Sequence, residues 1–303
     1  MPSYTYPVVQ TTGTLSTAQI HLLLSNPTLI ARRLASLTSM KFVADYLLQG
    51  RYSATGGGLF YETGEEIFAA DAPEAVAPGA EYPKTILTAG ELAAARTVKW
   101  GLESDITDEK ISREGMDTVT KALARLANTV VRHVDSVAWG VISSKVTSTV
   151  SSTAWDTPGK VIAAITAIQT ARAELGTGLD LSTIVLPGAA YAKVLGMLVD
   201  SNALPREQGN SIVGSAPISA FGLECVTSPY VTGTDPWLID RVALGGMADE
   251  NLSSPGYATA AGTNVEAFTN RHKDDKYEVR ARRVTVPVVL EPLAGVRITG
   301  TGL

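Results

Sequence analysis

The chain has 303 residues and a mass of 31.8 kDa, longer than the ~100–200 residues of a usual domain, so two subdomains or one elaborate domain are expected. Hydrophobic residues reach 45% and charged ones only 18%, against a typical ~25%, which excludes a disordered or polyelectrolyte chain. With 30 acidic and 25 basic side chains the net charge is −5, so no strong overall field draws the molecule to nucleic acid or to an anionic membrane.

Residues 1–51 form a basic arm, with Arg32, Arg33, Lys41 and Arg51 against Asp45 alone, and contain one clear helical stretch, Ala18 to Leu24. Residues 52–83 reverse the sign. They hold no basic residue but carry Glu62, Glu65, Glu66, Asp71, Glu74 and Glu81, together with Gly56-Gly57-Gly58 and Pro73, Pro78 and Pro83. Such a stretch cannot be a regular core element. Short β-like runs at Gly58–Tyr61 and Thr85–Leu87 predict a long hairpin-like excursion, whose aromatics Phe60, Tyr61, Phe68 and Tyr82 call for contact with something else.

Thr107 then reads as an N-cap, with Asp108 and Glu109 in the first turn of a helix. Val119, Leu123, Leu126, Val130, Val134, Val137 and Val141 recur at spacings of three and four, which predicts one amphipathic helix from about Asp108 to about Lys145, ~55 Å long. Gly115 lies inside it, where it would end a first segment. After the Ser/Thr-rich connector Lys145–Thr153, a second helix starts at Thr157-Pro158, with Ile162, Ile165, Ile168 and Leu175 as its apolar face and Gly176 as terminator. Short alternating units follow: strands at Ser182–Leu186, Leu223–Thr227, Pro236–Asp240 and Val242–Leu244, and a helix at Gly188–Val199. Together they predict a compact α+β subdomain. Lys276–Leu290 and Ala294–Thr299 close the chain with long β structure.

The sequence carries no recognisable catalytic or ligand-binding motif. Gly159-Lys160 lacks the upstream glycine of a phosphate-binding loop, and the surroundings of Ser211 lack the second glycine of a nucleophile elbow. Cys225, the single cysteine, excludes an intrachain disulfide framework and sits in an apolar, strand-like run that suits a small buried hydrophobe. His21, His133 and His272 form no local metal pattern, so no metal or cofactor is expected. Glu65/Glu66, Asp108/Glu109 and Asp274/Asp275 are adjacent pairs, a spacing that usually means solvated faces, caps or turns. No apolar run reaches a membrane span and Met1–Thr14 lacks a signal-peptide pattern, so a soluble protein made in the cytoplasm is expected. Low charge at this size also points to partner subunits covering part of the surface, the alternative being a large core.

This order of elements, in a poorly charged chain, resembles the major capsid protein of tailed bacteriophages, the Hong Kong 97-type fold. Local stretches similar to that family are Gly57-Gly58-Leu59-Phe60-Tyr61, Thr183-Ile184-Val185-Leu186-Pro187, Gly222-Leu223-Glu224-Cys225-Val226, and Arg280-Ala281-Arg282-Arg283 leading to Val288–Leu290. The resemblance implies an α+β fold with an N-terminal arm (1–49), an extended loop (50–100), a peripheral domain with a long spine helix (101–175 and 263–303) and an axial domain (176–262). It implies a non-enzymatic subunit that assembles with itself, as hexamers and pentamers, into an icosahedral shell around double-stranded DNA, assembled in the host cytoplasm. It implies a portal protein as a further partner and leaves a decoration protein open; because a loop starting about fifty residues from Met1 leaves no room for a removable scaffolding segment, a separate scaffolding protein, or none, is expected. Lys84 and Lys99, with Asn264, Glu266 and Asn270, are the residue types that isopeptide crosslinking in some members would need. Two alternatives stand: an encapsulin-type bacterial compartment on the same fold, and an unrecognised soluble enzyme. Within the shell reading, charge segregation makes Glu62, Glu65 and Glu66 the expected contacts for a neighbouring subunit's basic residues, with Arg280, Arg282 and Arg283 as leading partners.

Overall fold

The structure is a computed structural model. It describes residues 15–38, 42–64, 75–82, 84–85, 90–201, 219–220, 223–231, 233–259 and 264–303. In chain order the arm holds α1 (Thr17–Leu24), α2 (Pro27–Thr38) and α3 (Val43–Leu47), and the loop region holds β1 (Gly50–Ser53), β2 (Gly58–Thr63) and β3 (Glu91–Arg96). β4 (Val98–Thr107), α4 (Asp108–Glu114), α5 (Met116–Lys145), β5 (Thr149–Ser151) and α6 (Pro158–Glu174) follow. Next come β6 (Thr183–Leu186), α7 (Gly188–Asp200), β7 (Ser219–Ala220), β8 (Leu223–Thr227) and β9 (Trp237–Ile239). The chain ends with β10 (Gly245–Asp249), β11 (Tyr257–Thr259), β12 (Glu266–Arg271), β13 (Lys276–Val289) and β14 (Gly295–Thr299). These elements gather into two compact units, residues 1–41, 99–133 and 251–284 in the first and 42–98, 134–250 and 285–303 in the second; α5 and β13 contribute residues to both.

In the first unit β13 is the organising strand. β12 pairs with it antiparallel from Glu266↔Arg282 to Arg271↔Tyr277, β11 adds to β12, and β4 also pairs with β13. The close approach of β4 needs Gly101, since a Cβ there would meet Arg282 Cβ at 2.9 Å and the Ala281 carbonyl at 3.1 Å. α2 packs across β12 and β11 and buries Ile30, Ala31 and Leu34. The Ser16 capping box starts α1, and the Thr269 hydroxyl donates to the Leu24 carbonyl at its end, 2.7 Å away. Gly115, at φ 61°, ends α4 and lets α5 begin at Met116, so the expected helix is two helices; Val119, Leu123, Leu126 and Val130 are buried at the predicted spacing.

In the second unit a six-stranded sheet runs in the order β5-β14-β9-β6-β8-β7. β6 is buried along its whole length between parallel β8 and antiparallel β9, which explains its unbroken Thr183-Ile184-Val185-Leu186 run. α6 and α7 share one core with this sheet, built from Trp155, Ile165, Ile184, Val194, Leu238 and Ile298 among others. α6 is turned from the expected face. Val161, Ile165 and Ile168 are buried, whereas Ile162 and Leu175 are exposed, because the helix packs at spacings of three and four from Val161. The expected strand Val242–Leu244 is a turn instead: the Asp240 carboxylate accepts from the Val242 and Ala243 N–H groups, and the strand begins one residue later as β10. Asp135, buried on α5, caps α3 by accepting from the Val43 and Ala44 N–H groups at 3.2 and 2.9 Å.

β10 lies between β1, parallel to it, and residues 285–289 of β13, antiparallel to it. Two glycines make this fit possible. A Cβ on Gly246 would run into the Gly50 carbonyl, and one on Gly245 into the Val288 carbonyl; both obstacles are backbone and cannot swing aside. Gly246→Ala is therefore expected to lower stability by about 1–3 kcal/mol or more. A urea midpoint equal to wild type would contradict this reading of the β1–β10 contact.

Candidate functional site

β1 leads directly to the loop hairpin. Gly56 and Gly57, both at positive φ, turn the chain into β2, and β2 pairs antiparallel with β3 from Gly58↔Arg96 to Thr63↔Glu91. The Glu250 carboxylate, one residue past β10, clamps the base: Oε1 accepts from the Gly57 N–H at 3.0 Å and Oε2 from the Thr97 hydroxyl at 2.6 Å. The Thr97 N–H also donates to the Gly57 carbonyl. At the other end the Leu290 carbonyl, just past β13, accepts from the Gly64 N–H and the Thr63 hydroxyl at 2.9 and 3.0 Å. Hydrogen bonds from the residues that follow β10 and β13 therefore hold both ends of a two-stranded ribbon.

The two faces of that ribbon differ. Leu59, Tyr61, Thr63, Ala93 and Ala95 are half-buried, while alternation turns Phe60, Glu62, Leu92 and Arg96 outward. Phe60 is 78% exposed and Leu92 70%. They sit on neighbouring cross-strand pairs, Phe60↔Ala94 and Glu62↔Leu92, so they form one apolar patch with a carboxylate beside it. An isolated two-stranded ribbon is marginal in water, and covering two such side chains is worth roughly 1.5–3 kcal/mol each. This face has the chemistry of an unfilled contact.

Among the residues expected to make inter-subunit ion pairs, Glu62 is exposed on this face, while Glu65 and Glu66 lie outside the described residues. The three arginines belong to the first unit. Arg280 is 40% exposed and lies between Glu103 and Glu278 at 2.6 and 2.7 Å. Arg282 is buried, with its Nε on Glu266 at 2.6 Å, its NH2 on Ser254 at 2.8 Å, and its guanidinium over the Tyr257 ring at 3.5 Å. Arg283 is fully buried. Glu266 is thus the partner of a buried cation inside its own chain.

A second charged group lies at the β12–β13 turn of the first unit. Arg271 holds Asp108 with two hydrogen bonds, 3.1 and 2.6 Å, and stacks over Tyr277, whose hydroxyl lies 3.2 Å from His21 of α1. Hydrogen bonding from Arg271, helped by its charge, keeps the Asp108 carboxyl below the usual carboxylate range. Asp105 pairs with Lys276 at 2.7 Å in the same region.

The description "phage capsid protein" matches residues 91–298, about two thirds of the chain, and the chain belongs to that family. No curated protein sequence matches it. Among solved structures, the capsid of Cyanophage P-SCSP1u is similar with a TM-score of 0.57 at 10% identity, over 82% of this chain and 85% of that one. The capsid of Cyanophage A-1(L) gives 0.55 at 10% identity, over 86% and 93%. A virus-like particle from Pyrococcus furiosus gives 0.56 at 10% identity, over 89% and 97%. These likenesses establish the Hong Kong 97-type fold; the family match, more than the fold, disfavours the bacterial-compartment alternative. The chain is a major capsid protein of the tailed-phage type, a structural component of the virion shell.

Sequence reasoning missed Glu250 and Leu92. Neither lies in a motif, and each is singled out only by the pairing that brings it to the hairpin. Glu250→Ala is expected to speed hydrogen exchange at Gly57 and Thr97 at least tenfold while leaving β6 and β9 protected; unchanged exchange would show that the clamp does not hold the loop base. Asp108 has a depressed folded-state pKa, so the stability it contributes is complete above the unfolded value near ~3.9 and is lost as pH falls through the lower folded value. Wild type should therefore be the more stable at pH 7, and its urea midpoint should converge on that of Asp108→Asn below about pH 4. A constant difference between the two across that range would contradict it.

Proposed function

We propose that this protein builds an icosahedral head shell around double-stranded DNA, as hexamers and pentamers of itself, with the loop hairpin of each copy lying against the next. The exposed Phe60–Leu92 face, carried on a ribbon tied down at both ends, is the observation that supports this reading most strongly. A ribbon held rigidly offers its apolar face to a partner without having to be ordered first. In this proposal residues 1–49 act as an arm, 50–100 as the extended loop, and α5 as the spine of the peripheral domain (101–175 and 263–303), with 176–262 as the axial domain.

The shell would hold DNA without sequence specificity, consistent with a net charge of −5. Portal and scaffolding or decoration proteins complete the proposed partners, assembly takes place in the host cytoplasm, and the subunit carries no enzymatic activity. Glu62, with Glu65 and Glu66, brings negative charge to the contact. Of the three arginines proposed to receive it, Arg280 keeps the exposure such a contact needs, although Glu103 and Glu278 already hold it.

Phe60→Ser/Leu92→Ser tests the reading. The double variant should keep the wild-type unfolding free energy to within about 0.5 kcal/mol, since both side chains are exposed, yet sediment as capsomers or monomers where wild type gives shells. Shells formed by the variant as readily as by wild type would remove the hairpin face from assembly.

A further inference from the structure

We infer that the exposed face of α5 between Lys121 and Arg132 binds the phosphate backbone of the enclosed duplex; this deepens the assembly reading and rests on it. On the inward side of this helix Val119, Leu123, Leu126, Ala127 and Val130 are buried. Lys121, Arg125 and Arg132 are exposed, and at ~100° per residue they fall within an arc of about 40° on the side opposite that stripe. One helix therefore carries three cations in a line ~17 Å long.

The line has almost no counter-charge of its own. Among the described residues Arg125 and Arg132 form no ion pair, and Lys121 reaches only Glu114, at 4.0 Å. From Thr118 to Val134 the sequence holds no acid. Asp117 stands in the first turn of α5, where the positive end of the helix dipole favours a carboxylate, and Asp135 is buried and caps α3. A helix face that only meets water normally mixes signs at i, i+4, because opposite charges there support the helix. In a chain of net charge −5, an exposed face of one sign, and that sign positive, calls for an anionic partner.

The residues between the cations indicate which kind of anion. Asn128 and Thr129 are the other exposed positions from Lys121 to Arg132, so this face presents no exposed apolar side chain. A contact between subunits has an apolar centre, as Phe60 and Leu92 supply on the hairpin. Cations among polar side chains, with nothing apolar between them, suit phosphates instead. A duplex carries one negative charge per ~1.7 Å of its axis, so ~17 Å of it offers about ten phosphates to this line. Contacts to phosphate read no bases, which agrees with DNA held irrespective of sequence. In the shell, this face of α5 then looks inward.

The test follows binding of the full-length protein to a fluorescent duplex of about 30 base pairs across about 50 to 200 mM NaCl. Three phosphate contacts contribute about −2.7 to the slope of log K against log salt, about fortyfold in affinity over that range, and Lys121→Gln/Arg125→Gln/Arg132→Gln should remove that contribution. Glutamine keeps the helix propensity of the residues it replaces, so the triple variant should unfold at the wild-type urea midpoint. Lys160→Gln/Lys193→Gln, which removes exposed cations of α6 and α7, should leave the slope as it is. An unchanged slope in the triple variant, or an equal fall in the α6/α7 variant, would overturn the assignment. Tighter binding to poly-glutamate than to duplex at equal charge concentration would overturn it too, making the partner an acidic protein segment. Shell formation is read separately by sedimentation. The triple variant should still give shells, and their loss with duplex binding intact would place a subunit contact on this face instead. Wild-type protein that forms no shells would overturn the assembly reading on which the inference rests.

Discussion

Everything that makes this chain useful as a building block hangs from the close fit of β10 between β1 and β13. Gly245 and Gly246 let three backbones approach where no side chain could fit. One residue past β10, Glu250 clamps the base of the loop hairpin, and one residue past β13, Leu290 holds its other end. β1 delivers the chain into the hairpin from the same platform. Without that fit the ribbon would be two strands in water, too few to hold a shape. With it, Phe60 and Leu92 stand on a fixed face, their ordering entropy already spent before any neighbour arrives.

The charges follow a related logic. Cations of the first unit that looked available in the sequence are mostly used inside it: Arg282 by Glu266 and Tyr257, Arg271 by Asp108, Lys276 by Asp105. Truncating one member of a buried pair such as Arg282–Glu266 would strand the other charge, so these residues serve the fold first. Exposed pairs are individually weak, ~0.2–1 kcal/mol, and a shell can use them only by repetition.

Much of this was legible in the sequence where one element dictates its own pattern. The α5 stripe from Val119 to Val134, the buried run of β6, Leu223–Thr227, the Pro158 start of α6 and the long alternation of β13 all follow from periodicity and caps, and the structure places them there. What failed depended on partners distant in sequence. Val242–Leu244 has strand-like residues, yet Asp240 captures its N–H groups as a turn. Arg283 reads as a surface cation from its neighbours in sequence, yet its side chain is fully buried. Glu250 looks like any loop acid, because its function depends on Gly57 and Thr97, 193 and 153 residues away.

The central claim is that the tied hairpin presents a face made to be covered by another copy. An electron cryo-microscopy reconstruction of particles assembled from the wild-type chain tests it most directly. The account predicts closed shells in which Phe60 and Leu92 of every copy are buried against a neighbouring subunit. Shells with that face open to solvent, or a protein that stays monomeric at high concentration with its hairpin ordered, would contradict it.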